Sequence, residues 1–208
     1  SVPLAKEGTG QLVVDFTPEP LTQDVSFVFH IEKTADVVVD SLTAEISGIP
    51  STMELTTGLI LAQKTYKLLF RPTYAALPSA ADSASAEALR CEASVNIPGI
   101  VRSHTEDMVT GPGILQIAIY THYDYEEEGT QRKAAKVFHA GINLYHTLKE
   151  RKSLQWDEEE NGYRQASRSI TVEIGSPLNI DKDGILNGGS TSTGLGECIA
   201  GETYESEL

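Results

Sequence analysis

The sequence predicts an all-β protein, an antiparallel β-sandwich of about seven or more strands. Two observations predict it. Apolar and polar residues alternate with period two in run after run, which is the pattern of sheets with one buried and one solvated face. Turn and breaker residues separate those runs at short intervals.

The first run, with Leu12, Val14 and Phe16 on one face, is cut off from the next by Pro18 and Pro20. Proline cannot sit in a central ladder, so residues 1–18 are expected to form a peripheral strand or the remnant of a preceding region. The sandwich itself is expected over residues 19–186. In it Val25, Phe27, Phe29 and Ile31 share a face, then Leu42, Ala44 and Ile46, then Tyr66, Leu68 and Phe70. Leu89, Cys91, Ala93, Val95 and Ile97 follow, then Leu115, Ile117 and Ile119, and finally Ile170, Val172 and Ile174. Ser47-Gly48-Ile49-Pro50, Thr57-Gly58, Arg71-Pro72, Ile97-Pro98-Gly99, Gly111-Pro112-Gly113 and Gly175-Ser176-Pro177 read as turns between them.

Two stretches do not read as plain strands. Leu77 to Ala88 is rich in Ala and Ser and suits a flexible loop or a short helix. In Ala140 to Trp156 strand alternation (Ile142, Leu144, His146, Leu148) competes with helical spacing (Leu144, Leu148, Lys152); a strand up to Leu148 and then an acidic loop is the favoured reading. Residues 187–208, rich in Gly, Ser and Thr, are expected to form a mobile or loosely packed tail.

With 208 residues the chain can bury a core without metals or disulfides. Hydrophobic residues at 40% and charged residues at 22% place it among globular proteins. Sixteen basic against thirty acidic residues give a net charge of −14, a surface that repels phosphate backbones, so nucleic acid is not an expected partner. No stretch approaches the roughly 20 continuous apolar residues that span a bilayer. The start at Ser1, with neither Met nor signal peptide, is that of a processed precursor or a trimmed chain. Cys91 and Cys198 lack zinc-site spacing; Cys91 reads as a core residue, and a disulfide between the two is open in an oxidising compartment.

No catalytic constellation emerges, and neither a cofactor nor a metal site is expected. Asn179, Asp181, Asp183 and Gly184 match the opening of a calcium loop, but Ser190 stands where a bidentate Glu is wanted, so an Asp-Gly turn is the plainer reading. His122 and Asp124 share one strand face and could position a proton donor, or simply mark an exposed strand end. The acidic runs Asp124 to Glu128 and Asp157 to Glu160 read as solvated loops. Tyr120, Tyr123, Tyr125, Trp156 and Tyr163 lie near these runs, and aromatics beside carboxylates are how sugar-binding surfaces stack a ring and hold its hydroxyls. Tyr123, Tyr125, Trp156 and Tyr163 are therefore the candidate ligand-binding residues, with packing at the rim of a core as their plainer role.

From about Leu21 to Ile180 the order of features resembles the fimbrial and adhesin-like surface lipoproteins of Bacteroidales, relatives of the minor-fimbrium anchoring subunit. The resemblance rests on Pro20-Leu21-Thr22 before the run Val25 to Ile31, on Leu42 to Pro50 followed by Leu55-Thr56-Thr57-Gly58, on the glycine-led strand Gly113 to Tyr120, and on Ile170 to Ile180. It implies a transthyretin-like sandwich of Greek-key type, export, outer-membrane attachment through a lipid anchor absent from this chain, and a non-enzymatic place in fimbrial assembly, anchoring or adhesion. Other fimbrial or surface subunits would be its partners, by strand addition at a sheet edge. The chain departs from the pattern in lacking a lipidation Cys at its start and in holding one sandwich where anchoring subunits carry two. A glycan-binding surface module is the alternative.

Overall fold

Alternation translates directly into strands, because successive side chains of an extended backbone point to opposite faces. The chain is described from a computed structural model, over residues 21–77, 86–103, 110–157, 162–174, 177–183, 185–187, 199–200 and 204–207. The strands are β1 (Gln23–Thr34), β2 (Val37–Met53), β3 (Ile60–Phe70), β4 (Thr73–Ala76), β5 (Ala86–Ile97), β6 (Ile114–Glu127) and β7 (Thr130–Asn143). A single helix among the described residues, α1 (Leu144–Glu150), precedes β8 (Leu154–Asp157), β9 (Gly162–Gln165), β10 (Ser169–Glu173), β11 (Leu178–Ile180), β12 (Ile185–Asn187), β13 (Ile199–Ala200) and β14 (Tyr204–Glu207).

These strands build an all-β sandwich of two sheets. The first runs β12-β11-β1-β5-β4, with β10 also on β1; the second runs β13-β7-β6-β2-β3-β9-β8, with β14 also on β7. β10 and β11 lie parallel to β1, on the side away from β5, and the other pairings are antiparallel. The inner faces meet in one core. Val25, Phe27, Phe29 and Ile31 of β1 are all buried, as are Leu42, Ala44 and Ile46 of β2, Leu115, Ile117 and Ile119 of β6, and Phe138 and Ile142 of β7. Each of these Val, Leu, Ile and Phe side chains contributes about 1.5–3 kcal/mol by leaving water, and Ala44 less.

Three expectations need correction. Ser47-Gly48-Ile49-Pro50 is not a turn; β2 runs through it to Met53. The register with β3 slips between Ile46 and Ile49, so the segment is a β-bulge, and Gly48 supplies its φ of +76°. Pro50 is tolerated because the β2–β6 ladder ends at Ile46, so among the described residues Pro50 pairs with β3 alone. Tyr66 is the second: alternation placed it with Leu68 and Phe70, which do pack against the core, but it is 44% exposed even though it lies opposite the buried Ile49. The third correction is at the end of β7. The strand stops at Asn143 and α1 takes over, so helical spacing wins from Leu144 onward. Asn143 caps the helix, its Oδ1 accepting the His146 N–H at 3.0 Å, and Leu144, Tyr145, Thr147 and Leu148 are buried along the helix. The chain then forms β8, and the acidic residues 158–160 that follow it lie outside the described residues.

Residues 1–18 lie outside the described residues, as do 78–85 of the Ala/Ser stretch, which ends in β5 from Ala86 onward. Of the expected tail, residues 199–200 and 204–207 lie antiparallel on β7, with Ile199 opposite Gly141 and Tyr204 opposite Val137.

Cys91 is a core residue, fully buried with a free thiol; Cys198 lies outside the described residues. Burial pushes the Cys91 thiol from 9.0 up to about 12, because a thiolate in the core would lose its hydration. The folded pKa is above the unfolded one, so this contribution to stability is complete below pH 9 and disappears as pH rises towards 12. Urea midpoints should therefore fall between pH 8 and pH 10.5 by more in the native chain than in Cys91→Ala. Equal falls would show that Cys91 does not govern this part of the alkaline transition.

Candidate functional site

The four aromatic residues singled out by sequence do not gather. Tyr123 and Tyr125 stand two apart on β6, their rings 6.2 Å between centroids and tilted by 50°. Tyr123 is opposite Val37, the first residue of β2. Trp156 and Tyr163 face each other across the β8–β9 ladder, and Tyr163 is opposite Ile60, itself opposite Met53, the last residue of β2. The two pairs are thus at opposite ends of the longest strand. Tyr163 is also tied inward: its ring meets that of Tyr145 edge-on at 5.5 Å, and the Tyr145 hydroxyl donates to the Tyr163 hydroxyl. Burial, reinforced by that hydrogen bond, raises the Tyr145 pKa. A single sugar platform made of all four residues is not formed.

The polar constellations resolve into local ties. His122 Nδ1 is 2.7 Å from Asp40 Oδ1, whereas Asp124 faces Lys133 at 3.9 Å on the neighbouring strand, so the two do not act on one proton. The β6–β7 hairpin closes through Glu128 and Gly129, both with positive φ, the backbone of a tight two-residue turn. Arg132 and Glu127 pair at 3.0 Å just before the tip; such exposed pairs contribute about 0–1 kcal/mol. Of the run Asp157 to Glu160, residues 158–160 lie outside the described residues. At the calcium-like turn the Asp183 N–H donates to Asp181 Oδ1 at 2.7 Å. The Lys136 ammonium, from the second sheet, donates to the Lys182 and Asp183 carbonyls at 2.9 and 3.3 Å, so a lysine occupies the carbonyl side of that turn and clasps the two sheets together. Gly184 and Ser190 lie outside the described residues.

Two further features are surfaces rather than clusters. The first is the set of sheet edges. β4 covers β5 only from Leu89 to Glu92, so residues 93–97 of β5 have no strand on that side among the described residues. The outer edge of β7, in contrast, is covered by β13 and β14. The second feature is a pocket of about 460 Å3 on the outer face of the second sheet, beside the β2 bulge. Glu45, Ser47, Tyr66, Lys67 and Gln116 line it, with residues 110–112 as one wall. Its floor is tied down: Gly113 N–H donates to Ser47 O at 3.0 Å, Val101 N–H to Gly48 O at 2.8 Å, and the Ser47 hydroxyl to the Gly111 carbonyl.

No family model, curated protein or solved structure matches this chain.

Sequence reasoning missed the pocket for an identifiable reason. Alternation assigned Tyr66 to the core, and a Gly-Ile-Pro motif usually marks a turn, yet a glycine inside an otherwise continuous strand pattern is also the sign of a bulge. The Glu45 and Lys67 carboxylate and ammonium, 2.7 Å apart, come from strands whose register only the folded sheet defines.

Proposed function

We propose that this chain is a non-enzymatic cell-surface protein of fimbrial assembly, anchoring or adhesion, of the kind its sequence pattern resembles, and that strand addition at a sheet edge is its working contact. The observation that carries the proposal is the β7 edge. There two short strands from the C-terminal residues complete the second sheet, and eleven residues of sequence separate them from β12 in the first sheet. An edge completed by a short terminal strand can take an equivalent strand from a neighbour, main-chain hydrogen bonds supplying affinity and alternate side chains specificity. The incompletely covered β5 edge supplies a second acceptor of the same kind. The separate ties of His122 and Asp124 favour a structural over a catalytic use of these polar groups. Export and attachment to an outer membrane belong to the same proposal.

The test is made in the native bacterium. The full chain should copurify with filaments sheared from the cell surface, and a chain lacking residues 199–208 should lose that copurification while keeping its far-ultraviolet β signature. A full chain found only in fractions without filaments would sink the proposal, and unaltered copurification of the shortened chain would remove β13 and β14 as the exchanged strands.

A further inference from the structure

We propose that the pocket beside the β2 bulge is a binding site for a neutral saccharide. Small-molecule sites are concave, largely formed in advance, and combine apolar surface with a few fixed polar groups, in volumes of about 300–1,000 Å3. This pocket, at about 460 Å3, has each of these properties. Its shape is built into the backbone by the register slip between Ile46 and Ile49 and held by the backbone hydrogen bonds that Ser47 and Gly48 accept from Gly113 and Val101.

Its chemistry suits a sugar. Tyr66, a 44% exposed residue, is among those that line the pocket, and its ring offers an apolar surface for the C–H side of a pyranose. Glu45 and Lys67 are ion-paired at 2.7 Å, which places carboxylate acceptors beside ammonium donors, the combination that a pair of neighbouring hydroxyls satisfies. Gln116 adds an amide, and Thr65 and Thr110 add hydroxyls. The ligand should be uncharged: the two charges in the pocket cancel, and a chain of net charge −14 repels uronates, sialylated glycans and phosphates. Binding here needs no partner subunit and lies apart from the β7 edge, so it stands or falls separately from strand addition.

The test is a calorimetric titration of the full chain with maltose, cellobiose, lactose and diacetylchitobiose, supported by saturation-transfer difference spectra. At least one of these should bind saturably. Tyr66→Ala should weaken it by about ten-fold or more and Glu45→Gln by a smaller factor, whereas Tyr123→Ala, at the far end of β2, should leave it unchanged. The proposal is overturned if no disaccharide binds saturably, if Tyr66→Ala and Glu45→Gln bind as the native chain does, or if a glucuronate-containing disaccharide binds in preference to the neutral ones.

Discussion

Gly113→Ala is expected to lower folding stability by about 2–5 kcal/mol, with a fall in Tm of roughly 10 °C for a chain of this size. Two penalties add. Gly113 has φ of +83°, a conformation that costs an L-residue with a Cβ about 1–2 kcal/mol. Its new Cβ would also lie 2.8 Å from the Val101 carbonyl oxygen and 2.9 Å from Tyr145 Cβ, contacts that force backbone to move and cost about 1–3 kcal/mol. The residue cannot shift alone, because its N–H donates to Ser47 and its carbonyl accepts from Tyr145. Gly58 is the control: its φ is +70°, but nothing lies within 4 Å of a Cβ placed there. Gly58→Ala should lose only about 1 kcal/mol in the same urea titrations. Equal losses would show that close packing at Gly113 is not what restricts the position.

Asn143→Ala should cost about 2–4 kcal/mol, more than an ordinary surface or single-cap substitution. Asn143 is 1% exposed at the junction of β7 and α1. Its Oδ1 accepts the His146 N–H at 3.0 Å, and its Nδ2 donates to Ser103 Oγ at 3.0 Å. Alanine removes the cap, worth about 0.5–2 kcal/mol, and takes a hydrogen-bond partner from a buried hydroxyl, at about 1–3 kcal/mol. Hydrogen exchange locates the damage: the amides of α1 should lose protection before those of β1 and β5. Uniform loss across the sandwich would mean that Asn143 supports the fold as a whole rather than the helix start.

These two positions mark where local sequence patterns stop being informative. The runs around Phe27, Cys91, Ile117 and Val172 were legible because period two is a property of the strand itself and survives any tertiary arrangement. The Leu144–Leu148 segment carried both periods, and the choice depended on a cap that Asn143 completes through His146 and on the buried contact with Ser103, forty residues away. The aromatic candidates failed to converge for a related reason. Tyr123 and Tyr163 are forty residues apart in sequence, and the sheet order carries them to opposite ends of β2.

By itself, then, the sequence determined the all-β class, most of the buried faces, the core position of Cys91 and the acidic surface, all of which follow from residue type and spacing within a few neighbours. The tertiary structure alone decided that β10 and β11 pair parallel to β1, that the C-terminal strands complete the β7 edge, and that a bulge in β2 lies beside the Glu45–Lys67 ion pair. Strand order and register depend on which edges meet across long stretches of chain. Alternation says which face a residue takes, never which neighbour it takes it with.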